Sequence, residues 1–296
     1  MYSYRTSIKS DRSDELINTY LLRPIAGIIV GLLYDTPVTP NHLTIVSILS
    51  GMAAAFFYFQ GTAQAFMIGG LLVTLKDILD SADGQLARAK QLHSRVGRFL
   101  DSIGDFVVDT AVFSSLGWTL YQVNHDWFML ILALLGLIGI SLRVSYHVFY
   151  QVHFLHLINH YEINRITEEV QNEDLKKGGI ELFLQRIFQF IYGWQDRLMA
   201  RIDGWCAMKP CHLPRAAEQS ESLSWEHHWY SDTIGLRISG MLGFGTELFL
   251  LMLCSVMNRL ELYLYLNVFF MNGILFICIA YRRFVLSARC LSDKDI

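Results

Sequence analysis

Six apolar stretches, each close to twenty residues long, leave this chain few ways to fold. They run over about 42–60, 65–88, 98–121, 127–150, 234–257 and 262–284 of 296 residues. A helix of roughly 20 apolar residues matches the hydrocarbon thickness of a bilayer. Backbone N–H and C=O groups there find no water, so each segment must satisfy its own hydrogen bonds as a helix. The expectation is an all-α, polytopic integral membrane protein with six transmembrane helices. Charged residues make up only 17% of the chain, against about 25% in soluble domains, and mean hydropathy is +0.33.

The stretch PIAGIIVGLLY (24–34) is too short to span and reads as an N-terminal interfacial amphipathic helix. Residues 1–20 are polar and lack the apolar core of a secretory signal. Lysine and arginine set the orientation. Arg5, Lys9, Arg12 and Arg23 precede the first span. Arg88, Lys90, Arg95 and Arg98 flank the second turn, and Arg282, Arg283, Arg289 and Lys294 end the chain. The turns at 61–64 and 123–126 carry no lysine or arginine. Both termini and the 88–98 turn are therefore expected in the cytoplasm. The predicted organisation is an arm and interfacial helix (1–40), helices one to four (41–157), a cytoplasmic polar insertion (158–232) and the last two helices with a short tail (233–296). The insertion holds an amphipathic helix over 180–202, expected to lie against the membrane. A net charge of −3 carries no footprint for nucleic acid. Five cysteines (206, 211, 254, 278 and 290) form no disulfide framework.

The second and third segments contain carboxylates where apolar residues are expected: Asp80-x2-Asp83-Gly84-x2-Ala87-Arg88-x8-Gly97-x3-Asp101-x3-Asp105. Spacings of three and four place side chains on one helical face. Asp80, Gly84 and Ala87 share a stripe of the second segment, with Asp83 on its flank; Gly97, Asp101 and Asp105 share a stripe of the third. A short turn makes the two helices antiparallel, so the four carboxylates can converge. Four ionised carboxylates in an apolar setting need cations, and an all-oxygen set suits Mg²⁺ or Mn²⁺. Paired metals are a device for phosphoryl transfer, small residues on the same stripe admit a bulky ligand, and Arg88 offers a forked donor to phosphate. The bland alternative is a set of membrane-edge charges satisfied by Lys76, Arg88, Arg95 and Arg98.

These eight positions resemble the signature of the CDP-alcohol phosphotransferase family. The resemblance implies transfer of a substituted phosphoryl group from a CDP-linked donor to the hydroxyl of a lipid or polar alcohol acceptor, with release of CMP. It implies two divalent cations on Asp80, Asp83, Asp101 and Asp105, with Asp105 also the general base. Gly84, Ala87 and Arg88 would contact the nucleotide, and Gly97 would permit close helix approach. Pro40-Asn41-x2-Thr44 resembles a second family element, implying that Asn41 and Thr44 reach the nucleotide phosphates; it also reads as a helix start capped by Thr39 or Asn41. Membrane lipids and a homodimeric partner are further expectations, in a bacterial cytoplasmic membrane or an equivalent endomembrane.

Asp77 and Asp109 lie one turn outside the signature, either orienting the ligands or pairing with Lys76 or water. Arg143, Tyr146 and His147 are candidates for the acceptor pocket. Ser145-Tyr146 is not followed by the arginines that members with phosphorylated acceptors carry. Ser102 stands where choline- and ethanolamine-phosphotransferases of the eukaryotic type carry histidine, which favours CDP-diacylglycerol as donor over head-group transfer to diacylglycerol. His153, His156 and His160 read as interfacial, and Cys206, Cys211, His212, His227 and His228 as a poor zinc spacing. A cation transporter using the aspartates is the rival from another class.

Overall fold

The computed structural model describes residues 15, 17–158, 168–207 and 225–288, and among these no strand occurs. The helices are α1 (Asn18–Leu33), α2 (Pro40–Phe59), α3 (Ala63–Lys90), α4 (Arg95–Asn124), α5 (Phe128–Leu157), α6 (Asn172–Lys177) and α7 (Gly179–Ala207). They continue as α8 (225–230), α9 (Thr233–Ser239), α10 (Phe244–Val256) and α11 (Leu260–Leu286). By length and composition, α2, α5, the run Trp225–Val256 and α11 are able to cross a membrane. The other two expected spans are α3 and α4, of 28 and 30 residues. At 1.5 Å per residue they extend about 42 and 45 Å, well beyond the roughly 30 Å hydrocarbon core. The aspartates occupy the second half of α3 and the first half of α4.

Local chemistry fixes the ends that matter. Thr39 caps α2, Pro40 takes the first helical position, and His42 Nδ1 accepts from Thr39 N–H at 3.2 Å. That reciprocal arrangement satisfies two otherwise free donors. Gln91, in the left-handed region at φ +55°, ends α3, and the Ser94 hydroxyl caps α4 by accepting from Gly97 N–H at 2.9 Å. The turn is thus four residues long, and α3 and α4 leave it antiparallel.

Helix α2 packs against both. A Cβ on Gly104 of α4 would overlap Ile48 of α2, so glycine lets the two backbones approach. The Ser47 and Ser50 hydroxyls donate to the carbonyls of Lys76 (3.0 Å) and Leu72 (2.9 Å) across the α2–α3 contact. In a bilayer such small-residue packing and interhelical bonding replace the hydrophobic drive. Behind them, α4, α5, α10 and α11 share a core that includes Val112, Phe113, Leu132, Leu251 and Tyr263.

Two expectations acquire detail. The fifth apolar stretch is interrupted: α9 passes through a tight turn (Gly240–Leu242) to extended backbone at Gly243 before α10 begins. The Glu15 carboxylate fills that break and accepts from Gly245 N–H at 2.8 Å. The amphipathic helix of the insertion is α7, and it does more than lie on a surface. Gln185, Gln195, Met199 and Asp203 form a buried stripe, while Phe183, Phe190 and Trp194 stand exposed on another. The buried stripe faces α4, α5 and α11; the exposed one carries the aromatic residues that suit a membrane interface.

Candidate active site at the α3–α4 face

Carboxylate oxygens of Asp80, Asp101 and Asp105 lie within 4.8 Å of one another. Among the described residues they are the one group of three or more histidine, cysteine or acidic side chains so arranged. Asp105 is buried, whereas Asp80 and Asp101 are half-buried, so the cluster retains an opening. The donor set is all oxygen and tightly spaced, which fits a hard divalent cation such as Mg²⁺ or Mn²⁺. Asp83 stands beside this triad, within the field of Asp101. It accepts from the Thr44 hydroxyl at 2.5 Å, a charge-assisted bond that ties α2 to α3.

The remaining signature positions surround the cluster. The Arg88 side chain folds back over its own helix, so that a Cβ on Gly84 would lie 3.4 Å from its Nη1. Ala87 is half-buried one residue before it. A Cβ on Gly97 would sit 2.7 Å from Asn41 Oδ1; glycine therefore lets the start of α4 approach the exposed Asn41 at the start of α2. Asp77 and Asp109 are both buried.

One cation enters the group. Lys76, 2% exposed, pairs with Asp105 Oδ1. The sequence offered Lys76 as a partner for Asp77 and Asp109, or as one of the charges that satisfy the signature aspartates; the structure pairs it with Asp105, the carboxylate expected to act as base.

The arginines at the start of α4 face outward from the cluster. Arg95 donates to Glu168 (2.9 Å), Asp174 (2.8 Å) and Glu181 (2.7 Å), and Arg98 pairs with Glu168 as well. These four ion pairs hold the insertion on the mouth of α4. Further along, Phe188 packs on Phe99 at 5.3 Å between centroids, and the Tyr192 hydroxyl donates to the Ser102 carbonyl at 2.8 Å. Helix α7 thereby covers the outer side of the turn bearing Asp101 and Asp105. None of these contacts was readable from spacing, since the partners are 70 to 90 residues apart.

The acceptor candidates do not join the aspartate cluster. Arg143 is fully buried and donates to Glu247 Oε2 (3.0 Å), the Asn267 carbonyl (3.0 Å) and Asn272 Oδ1 (2.8 Å). Glu247 also accepts from Tyr263 Oη at 3.1 Å and from Asn267 Nδ2. Tyr146 is enclosed against Tyr150, and His147 Nδ1 lies 3.1 Å from Ser239 Oγ. His153 stacks on Tyr230 at 4.4 Å. Cys206, Cys254 and Cys278 are free and buried, whereas His160, Cys211, His212 and Cys290 lie outside the described residues.

Comparison with other proteins adds a second line of argument. Residues 37–159 match the family described as CDP-alcohol phosphatidyltransferase. A bifunctional IPC transferase and DIPP synthase of Thermococcus kodakarensis is 35% identical over 142 residues, covering 48% of this chain and 31% of that protein. An archaetidylinositol phosphate synthase of Pyrococcus horikoshii is 37% identical over 76 residues, 25% of this chain and 38% of its own length. A phosphatidylinositol phosphate synthase of Mycobacteroides abscessus is 39% identical over 80 residues, 27% and 36% of the two chains. The chain spans about a third of the length of these relatives.

Proposed function

We propose that the chain, which matches the CDP-alcohol phosphatidyltransferase family over residues 37–159, transfers a substituted phosphoryl group from a CDP-linked lipid to an alcohol. The convergence of Asp80, Asp101 and Asp105 on one opening is the observation that carries this reading. Two divalent cations, Mg²⁺ or Mn²⁺, held by Asp80, Asp83, Asp101 and Asp105, would neutralise the diphosphate and the departing CMP. The chain's own residues do the rest. Arg88 and the small positions Gly84 and Ala87 receive the nucleotide, with Asn41 and Thr44 near its phosphates. Asp105 takes the proton of the acceptor hydroxyl. The acceptor oxygen bonds to the lipid-bearing phosphorus as the bond to CMP breaks, and CMP leaves.

CDP-diacylglycerol is the favoured donor, supported by Ser102 in place of histidine. The names of the relatives point to inositol-containing acceptors, and inositol and its phosphate head the panel to be tried. The site opens to the cytoplasm, with six spans and both termini on that side, in keeping with the distribution of Lys and Arg. The test is CMP release in detergent with Mg²⁺ or Mn²⁺. CDP-diacylglycerol and CDP-choline serve as donors, with inositol, inositol phosphate, glycerol phosphate, serine and diacylglycerol as acceptors. Release with CDP-diacylglycerol and a polar acceptor is the expected result. Release only from CDP-choline would reverse the donor, and cation flux in liposomes without any CMP would favour a transporter.

A further inference from the structure

Lys76 lies one turn before Asp80 on the same stripe of α3, outside the signature. Its ammonium has no route to bulk water at 2% exposure and pairs with Oδ1 of Asp105. On its other side the Phe244 ring centroid lies 5.5 Å away. A cavity of about 10 Å³, bounded by Lys76, Asp109 and apolar side chains of α3, α4 and α10, has room for roughly one water. Asp77, Asp80 and Asp109 complete the anionic surround of the ammonium. This cation therefore pairs with Asp105, which belongs to the metal-sized triad, while Asp109 lines the cavity beside it.

We propose that Lys76 is a positioning residue that competes with divalent cations for Asp105. By holding Oδ1 it keeps this carboxylate the least committed of the metal-side ligands, so that its other oxygen is available to the acceptor proton. Among the described residues Asp80, Asp83 and Asp101 make no such ion pair, which leaves their oxygens to the metals. The inference rests on the phosphotransferase reading for its catalytic consequence, but its physical core is a competition that metal binding alone can read.

The experiment is Mn²⁺ binding to the purified full chain in detergent, followed by electron paramagnetic resonance without any donor. Lys76→Met removes the competing charge and should bind Mn²⁺ at least about tenfold more tightly, since a unit charge a few ångströms from a partly buried site acts strongly. Lys76→Arg keeps the charge and should stay within about threefold of the parent. CMP release by Lys76→Met should fall in kcat with little change in the KM for donor. A lysine that merely props the helices would give unchanged or weaker Mn²⁺ binding in a folded Lys76→Met protein, and that result overturns the proposal. If Lys76→Met does not fold, Asp109→Asn decides. With the nearby Asp109 charge removed, Lys76 is drawn more fully to Asp105, so Mn²⁺ should bind more weakly; equal or tighter binding overturns the proposal. Absence of CMP release by the parent protein would sink the phosphotransferase reading and leave the competition result standing.

Discussion

Two buried polar centres lie in the same helical bundle and are built on opposite plans. At the α3–α4 face, Asp77, Asp80, Asp105 and Asp109 surround one buried lysine, with Asp83 and Asp101 beside Asp80. Between α5, α10 and α11, Arg143 meets Glu247 one for one, and Asn267, Asn272 and Tyr263 bond to the pair. Arg143 and Glu247 are fully buried, whereas Asp80 and Asp101 are half-open. A balanced and sealed pair specifies packing. An unbalanced and open cluster is one that the proposed divalent cations would neutralise. Both centres contain intramembrane charge, which is a pointer to function by default; charge balance and access separate the one that ties helices together from the one proposed to hold metal.

Neutralising one member on each side should break that comparison in opposite ways. Asp101→Asn should lower CMP release by about a thousandfold, the scale of losing an electrostatic group in a transition state, and weaken Mn²⁺ binding. Without metal the same variant should melt no lower than the parent, because it relieves repulsion; a calorimetric scan in detergent with a chelator checks this. Arg143→Met should instead destabilise the fold by about 3–5 kcal/mol, since it strands a buried carboxylate, and the double change with Glu247→Met should recover most of the loss. The pairing is read from thermal unfolding of the single and double variants.

Arg95→Ala sharpens the boundary between site and support. It releases Glu168, Asp174 and Glu181, three partners on the insertion. Arg95 is 21% exposed, so each pair contributes modestly. Hydrogen exchange over 168–192 should accelerate at least about tenfold, in line with the loss of a local network of one to two kcal/mol. Global melting should move little.

The smallest effect concerns Glu15, which lies outside the spans. Burial, together with Asp77, pushes its carboxyl from an ordinary 4.5 up to about 8. The folded state then holds a proton that the unfolded chain releases. This contribution to stability is complete below pH 4.5 and is lost as pH rises toward 8. Between pH 6 and 9 the parent should lose thermal stability relative to Glu15→Gln; parallel curves would show that Glu15 does not titrate in the fold.

The sequence carried the helical class, the stripe of aspartates and the capped start of α2, because each depends on spacing within one segment. Hydropathy marked the apolar runs but not the break at Gly243, where the flanking residues are themselves apolar and the interruption is stabilised by Glu15, some 230 residues away. Helical spacing placed Lys76 on the acidic stripe yet gave no means of choosing Asp105 over Asp77, since that choice depends on how α4 is rotated. Glu247 escaped notice because a single acid in an apolar run has no local pattern; its meaning comes from Arg143, 104 residues earlier. The docking of α7 on α4 was hidden for the same reason. Its polar stripe reads as a solvated face until Arg95 and Ser102 are placed opposite.

Locating bound metal tests the central claim most directly. Anomalous scattering at the manganese edge, from crystals grown with Mn²⁺, should give density among the carboxylate oxygens of Asp80, Asp83, Asp101 and Asp105, and none beside Arg143 and Glu247. Density absent from the aspartate cluster at saturating Mn²⁺, with its carboxylates closed on Lys76 and Arg88 instead, would contradict the account.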